Sequence, residues 1–432
     1  YSAHRTVWEG ASPFTDAEIR ELDAFCRERQ IELVPNQNTF GHMERWLKHG
    51  RYRSLAECPE GFAHPETGEH YPPMTLHPDE ASVSLIAGLL DELLPCFRSG
   101  RVNIGGDEPW ELGLGRSRER VRSEGKHRVY LDHMKRIFAL AEARGHAPQF
   151  WADIVLECPE LVAELPSAAI PAIWGYEHDH PFEAQCAAVA SAGFADGFSV
   201  VPGTSTWNSF AGRLHNAALN IANAANAGRT HGAEGLLLTA WGDLGHHAPY
   251  ATLYPPLILG AQHAWGAPAL EHRADGAAGP PPLAEAVDAI FFEDRRAGNG
   301  AVLCELSELE ASLPAPAKTG LPHLLAIRRN FLTESALEAV REDELQAVWR
   351  RLEELADGFG PETDDDVRTA WSLLYWATGQ AIGLKTGQPP GAEAASAETV
   401  RERFRANWLR HSRPGGLDDS AGRIRDVASV RS

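Results

Sequence analysis

Residues 101–108 read Arg-Val-Asn-Ile-Gly-Gly-Asp-Glu, and this stretch decides the predicted fold. A short apolar strand runs directly into two glycines and then into two adjacent carboxylates. On a continuing strand, Asp107 and Glu108 would face opposite ways. Both can serve one site only where the strand ends and the glycines allow the backbone to turn. A short apolar strand followed by polar residues is typical of a buried parallel sheet whose strand ends carry a site.

The same succession of strand and helix continues through the first 270 residues. The predicted strands are 31–35, 101–106, 148–152, 170–174, 197–201 and 235–241. A closed parallel barrel needs eight strands, and an open doubly wound sheet would show a glycine-rich phosphate loop after its first strand, which this sequence lacks. We therefore predict an α/β fold, a (β/α)8 TIM barrel whose first two strands are missing from this chain. An open six-stranded α/β sheet is the alternative.

The composition changes after residue 270. Residues 276–282 are rich in glycine, alanine and proline, and the sequence beyond them has helical periodicity. The predicted helices are 321–332, 334–356, 365–385 and 397–408, with a loop at 388–395. We predict a barrel over residues 1–270, a linker over 271–283 and a C-terminal all-α domain over 284–432.

Charge and composition exclude several classes of protein. The chain has 40 basic and 60 acidic residues, for a formal charge of −20, which repels nucleic acid and anionic lipid. It has no apolar stretch long enough to cross a membrane. The six cysteines lack CxxC spacing, which favours reduced thiols over a disulfide framework or a zinc site. The histidine pairs His178/His180 and His246/His247 do not fit an HExxH metal motif. Neither a metal nor an organic cofactor is expected.

The carboxyl ends of barrel strands meet at one face, where active sites lie. His42 follows the first visible strand, and later strand ends combine an indole with a polar side chain. The remaining candidates are Trp151 with Asp153, Trp174 with Tyr176, Trp207 with Asn208, and Trp241 with Asp243. Because indole faces suit the apolar C–H faces of sugar rings, we expect these residues and the Asp107–Glu108 pair to line a carbohydrate site. A structural alternative is that the acidic pair caps the next helix.

The Gly-Gly-Asp-Glu sequence after the predicted fourth barrel strand resembles the catalytic signature of family 20 glycoside hydrolases, the β-N-acetylhexosaminidases. Residues 34–42, Val-Pro-Asn-Gln-Asn-Thr-Phe-Gly-His, are similar to the family's Pro-Glu-(Ile/Leu)-Asp-x-Pro-Gly-His stretch. Asn36 and Asn38 stand at its acidic positions. The tryptophans that end later strands look like the walls of the family's sugar pocket. The resemblance covers approximately residues 15–265.

The resemblance implies an exo-acting retaining hydrolase that removes a terminal GlcNAc or GalNAc from an oligosaccharide or glycoconjugate. In this family the 2-acetamido carbonyl of the substrate attacks the anomeric carbon and forms an oxazolinium ion. Glu108 would be the general acid and later the base, and Asp107 would hold the acetamide N–H. A fixed anion beside a cationic intermediate lowers the barrier more than it stabilises the neutral substrate.

The sequence departs from the family where a tyrosine usually binds the acetamide oxygen. Residues 202–208 contain no tyrosine, so Tyr176 is the predicted substitute and Asn208 the alternative. His42 is expected beside the acidic pair, with a core histidine as the alternative.

Two other functions stay open. One is a conventional two-carboxylate glycosidase in which Asp153, Glu177 or Asp243 is the partner of Glu108. The other is a sugar-binding barrel without catalysis. A cytoplasmic location is expected. A leader before Tyr1 stays open, because the sequence begins within the predicted barrel. The sequence does not determine the oligomeric state, and a homodimer is one of the states that it allows.

Overall fold

The computed structural model describes residues 1–65, 68–195, 197–266, 282–292, 298–315, 318–328, 333–387 and 396–426. The chain divides into two compact units, which are described separately. The first consists of Tyr1–Trp174, Pro181–Val201 and Ala227–Gly235, and the second of Gly175–His180, Pro202–Asn226 and Leu236–Ser432.

A parallel sheet organises the first unit. Its strands follow one another in chain order: Arg101–Asn103, Ala147–Trp151, Ile170–Trp174, Ser199–Val201 and Gly235–Leu236. The first four are parallel, with Val102 opposite Pro148 and Ala172 opposite Ser199. Val102, Phe150 and Ile173 are completely buried. Burial of this kind explains why the strands are short apolar runs without polar alternation.

The segment predicted as the first strand lies beside the strand Arg101–Asn103 but is not itself a strand. A single parallel bridge joins Asn36 to Asn103. The Asn103 N–H donates to the Pro35 carbonyl (2.8 Å), and the Gln37 N–H donates to the Asn103 carbonyl (2.9 Å). Because Pro35 has no N–H, the hydrogen-bond ladder cannot continue through it. The predicted position of residues 31–35 is therefore right and their predicted strand is wrong.

Helices alternate with these strands. The main helices of the first unit are Asp16–Glu28, Glu80–Leu93, Arg118–Glu124, Lys126–Glu142, Asp153–Leu156 and Phe182–Val189. The helix Asp16–Glu28 begins with a capping box, in which Thr15 accepts from the Glu18 N–H (3.3 Å) and Glu18 accepts from the Thr15 N–H (2.8 Å). Between the first two helices, an antiparallel hairpin pairs Phe62–Ala63 with His70–Tyr71.

The second unit is mostly helical. The helix Leu214–His231 begins in it, and its further main helices are Tyr254–Trp265, Leu283–Phe291, Asn299–Ala311, Thr333–Ala339, Glu342–Asp357, Asp365–Thr386, Ala397–His411 and Leu417–Ala421. Most of the later helices contribute to one core that includes Leu324, Leu345, Leu373 and Phe404, while Tyr254–Trp265 and Leu283–Phe291 pack in a smaller cluster around Ala251 and Val287. The predicted α/β fold with a helical C-terminal region is thus confirmed.

Some predictions fall outside the described residues. These are most of the linker 271–283, the loop 388–395 and the last four residues of the helix predicted at 321–332. The three-part domain division therefore stays a prediction. All six cysteines are described, and all are free thiols, as their spacing predicts. Within the described ranges, every helix is too short or too polar to span a bilayer.

Candidate active site

The two adjacent acids follow a turn that requires glycine. Gly105 and Gly106 have φ angles of +67° and +99°. A Cβ on Gly106 would lie 2.6 Å from the Met134 methyl group and 3.1 Å from the Tyr130 hydroxyl. Glu108 also lies in the left-handed region, with φ +45°. Such backbone strain in a non-glycine residue is uncommon and concentrates at functional sites.

The loop that carries His42 packs against this turn. The Thr39 hydroxyl donates to the Ile104 carbonyl (2.7 Å). A Cβ on Gly41 would collide with the Asp107 carbonyl oxygen, so only glycine permits this close approach. Asn36 donates to the Asn103 side-chain oxygen (2.8 Å), which also accepts the Gly105 N–H (2.9 Å). The asparagine at position 36 therefore helps to hold the base of the turn.

His42 lies between the two carboxylates. Its Nε2 atom is 3.1 Å from Asp107 Oδ2 and 3.5 Å from Glu108 Oε2. Burial lowers the pKa of His42, but the hydrogen bond to Asp107 and the charges of Asp107, Glu108 and Glu44 outweigh it and raise the pKa to about 9. At neutral pH, His42 is therefore an imidazolium ion shared by both acids.

Asp153 is a third carboxyl group at this turn. Its Oδ2 atom accepts the backbone N–H of Glu108 (3.3 Å). Burial, followed by the charge of Asp107, raises the pKa of Asp153 to about 8, although hydrogen bonds from the Glu108 N–H and the Trp174 side chain lower it. Asp153 is therefore mainly protonated at neutral pH, while it supports the strained backbone of Glu108.

Two polar groups that were not predicted lie beneath the turn. Tyr130 is completely buried, and its hydroxyl has no hydrogen-bond partner among the residues that the structure describes. Burial and then the charges of Asp153 and Asp107 raise the pKa of Tyr130 well above its usual value. His133 is buried beside it on the same helix, and burial lowers its pKa to about 4. Their presence in an otherwise apolar helix stripe with Met134 and Ile137 is the signal that could have identified them.

Two of the predicted indoles stand at the ends of the next strands of the first unit. Trp151 is 5 % exposed and packs with Ala172, Val201 and Trp174. Trp174 remains partly exposed. The first unit thus brings together six of the predicted site residues: His42, Asp107, Glu108, Trp151, Asp153 and Trp174.

The other five predicted residues belong to the second unit. Three of them form an aromatic group, in which the Trp241 indole N–H donates to the Tyr176 hydroxyl (2.8 Å) and the Tyr176 and Trp207 rings meet edge to face at 5.0 Å. Asn208 has φ +57° and is 7 % exposed. Asp243 begins the short 3₁₀ turn Asp243–Gly245. That Tyr176 or Asn208 binds an acetamide oxygen stays a prediction.

Glu177 lies in the same unit but is bound on both oxygens. Arg213 donates to Glu177 Oε1 (2.9 Å) and Oε2 (2.6 Å), which is a bidentate ion pair. A carboxylate held in this way is a weak nucleophile and a poor base. Among the described residues, there is no group of three or more His, Cys, Asp or Glu side chains arranged to hold a metal ion.

A parallel α/β sheet with a carboxyl cluster after one strand and indoles after the next two is an arrangement that a glycoside hydrolase can use. Residues 2–195 match the family model for glycosyl hydrolase family 20, catalytic domain. These residues therefore belong to that family.

Known relatives agree with this assignment. Hexosaminidase D of Homo sapiens is 29% identical over 176 residues, which are 38% of this chain and 34% of that protein. Hexosaminidase D of Bos taurus is 28% identical over 189 residues, 41% of this chain and 51% of that protein. The chain thus spans between a third and a half of the length of these relatives. The solved chitobiase of Flavobacterium johnsoniae shares the fold, with a TM-score of 0.52 and 13% identity over 98% of this chain and 70% of that one.

Proposed function

We propose that this protein is an exo-acting β-N-acetylhexosaminidase that removes terminal β-linked GlcNAc or GalNAc from an oligosaccharide or glycoconjugate, with retention of configuration. The observation that carries the proposal is the pair of adjacent acids, Asp107 and Glu108, on a strained turn with a single imidazolium between them. This pair lies within the residues that match the family 20 catalytic domain.

The pair divides the reaction between two roles. Glu108 donates a proton to the glycosidic oxygen as the bond to the anomeric carbon breaks, and later removes a proton from the attacking water. Asp107 accepts a hydrogen bond from the acetamide N–H, so that the acetamide oxygen is oriented towards the anomeric carbon. The oxazolinium ion that forms is cationic, and the fixed Asp107 carboxylate stabilises its charge.

The charges in the first unit support this division. His42 donates to Asp107 at 3.1 Å and lies slightly farther from Glu108, at 3.5 Å. Asp107 is thus hydrogen-bonded to a cation, which holds its carboxyl group in a fixed position. The shorter contact is the one to the acid that would stabilise the cationic intermediate, and the longer one is to the acid that would transfer the proton.

A conventional two-carboxylate mechanism needs a second ionised carboxylate as nucleophile. Two of its three candidates are poorly suited: Asp153 is mainly protonated at neutral pH, and Glu177 is neutralised by Arg213. In the substrate-assisted mechanism the acetamide oxygen supplies the nucleophile, so no further carboxylate is needed.

A thiazoline analogue of the oxazolinium ion tests the proposal. It lacks a leaving group but reproduces the ring that forms between the acetamide oxygen and the anomeric carbon. We expect competitive inhibition of aryl β-N-acetylhexosaminide hydrolysis, with affinity at least about 10²-fold above that of the free sugar. Inhibition no tighter than by the sugar itself would contradict the assisted mechanism, and binding without any hydrolysis would favour a silent sugar-binding domain.

A further inference from the structure

Three aromatic side chains form a cluster, and one of them follows the proposed general acid by two residues in the chain. The Trp110 and His64 rings are 4.9 Å apart, and the His64 and Tyr71 rings are 5.1 Å apart. Buried Phe62 lies below Tyr71, at 6.2 Å between ring centres. Trp110 and His64 are partly exposed, and Tyr71 is 36% exposed. Trp110, His64 and Tyr71 are called the aromatic platform here.

The aromatic platform is fixed to the backbone of the acid. Trp110 follows Glu108 by two residues, and its N–H donates to the Glu108 carbonyl at 2.8 Å. The next residue, Glu111, is completely buried and accepts the backbone N–H groups of Cys58 (3.1 Å) and Thr75 (3.0 Å). These two residues flank the hairpin that carries His64 and Tyr71.

A second buried carboxylate strengthens this connection. Glu57 accepts the backbone N–H (2.8 Å) and the hydroxyl (2.7 Å) of Ser117, and it lies 2.7 Å from His77 Nδ1. Burying a carboxylate is costly unless its oxygens are hydrogen-bonded. Glu57 and Glu111 therefore join the hairpin loop to the segment that follows Glu108, so that a partly exposed aromatic surface is rigidly mounted beside the acid.

The direction of proton transfer indicates what this surface would contact. A general acid protonates the oxygen of the leaving group, so its carboxyl group faces the part of the substrate that departs. Residues that directly follow it in the same loop are placed to contact that part. Aromatic rings stack on the apolar faces of sugar rings while hydroxyls remain hydrated.

We propose that the aromatic platform binds the sugar ring that leaves, and so gives the enzyme a preference for saccharide over small alkyl leaving groups. This inference rests on the proposed function. Its occupant is a neutral hexose-type ring joined through the β-glycosidic oxygen to the terminal N-acetylhexosamine.

The test compares two substrates that differ only in the leaving group: a β-linked N-acetylhexosamine disaccharide and the methyl β-glycoside of the same sugar. We expect Trp110→Ala to lower kcat/KM for the disaccharide by about 3- to 10-fold and to leave kcat/KM for the methyl glycoside within about 2-fold. Trp110→Phe should retain most of the preference. Tyr71→Ala should likewise lower the preference for the disaccharide, so the test remains valid if Trp110→Ala does not fold.

Trp265→Ala is the matched control, because Trp265 is 93% exposed at the end of the helix Tyr254–Trp265 in the second unit. It should change neither rate. Equal losses on both substrates in the platform variants, or no loss on either, would overturn the inference while leaving the proposed function intact. A native protein that hydrolyses neither substrate would overturn both.

Discussion

The acidic pair at the strand-end turn of the first unit and Glu177 of the second unit have different partners. In the second unit, Glu177 is matched by the guanidinium of Arg213, which donates to both of its oxygens. In the first unit, Asp107 and Glu108 share the imidazolium of His42, and the Asp153 carboxyl group accepts the backbone N–H of Glu108. The first arrangement satisfies charge and serves stability. The second leaves charge incompletely compensated, which is how active sites shift the pKa values of their acids and bases.

The largest expected effect is the loss of activity when Glu108 is replaced, whereas replacement of Glu177 should lower stability instead. Glu108→Gln removes the proton donor, so kcat for a β-linked disaccharide should fall by about 10²–10⁴-fold. The melting temperature should stay close to that of the native protein, because glutamine has nearly the same size as a protonated glutamate and remains able to form hydrogen bonds.

Glu177→Gln is the matched control in the second unit. It leaves the half-buried Arg213 with a weaker partner and should lower the free energy of unfolding by about 1–3 kcal/mol, while kcat per folded molecule stays within about 2-fold. Steady-state kinetics and urea unfolding of both variants check the pair. A large loss of kcat in Glu177→Gln together with a loss of stability in Glu108→Gln would contradict the comparison.

The next effect concerns the fixed anion. Asp107→Asn should reduce kcat for an aryl N-acetylhexosaminide by about 100-fold, or about 3 kcal/mol of barrier, because a neutral amide stabilises the oxazolinium charge poorly. The same variant should also lower the pKa of His42, which loses its hydrogen-bonded carboxylate. Kinetics and an NMR titration of the imidazole measure the two effects. A normal kcat would show that Asp107 has only a structural role.

The smallest effect is on stability and depends on pH. The pKa of Asp153 is about 8 in the folded chain and close to 4 when unfolded. Between these values the folded state holds a proton that the unfolded state releases, so this group makes stability fall as the pH rises, until the pH passes the folded pKa.

Asp153→Asn removes this dependence and keeps an oxygen that can accept the Glu108 N–H. Relative to the native protein, the free energy of unfolding of the variant should rise by about 2 kcal/mol between pH 6 and pH 8. Urea unfolding at the two pH values measures the difference. If the free energies of unfolding of the variant and the native protein differ by the same amount at both pH values, Asp153 is ionised at both.

Local patterns in the sequence predicted part of the fold accurately. The strand Ile170–Trp174 has the predicted bounds, because its apolar run is a local signal. The segment before Asn36 failed as a strand because Pro35 interrupts its hydrogen bonds. The Gly-Gly pair correctly indicated the turn before the acids, since both glycines have positive φ angles.

The state of the candidate site was harder to predict. Asp153 was predicted only as a substrate-binding residue or a second carboxylate, because its protonation follows from burial beside Asp107. Tyr130 and His133 were missed because their helix stripe reads as core until neighbouring segments are placed against it. The bidentate contact of Glu177 with Arg213, 36 residues away in the chain, is likewise a tertiary feature.

The most direct measurement compares hydrolysis of matched aryl β-glycosides of GlcNAc, GalNAc and glucose, with the first-formed product anomer followed by NMR. If the acetamide is the nucleophile, the acetamido sugars are cleaved at least about 10³-fold faster than the glucoside, an enhancement within the range of intramolecular catalysis, and the β-anomer of the product appears first. Equal rates on the glucoside, or first appearance of the α-anomer, would contradict the account.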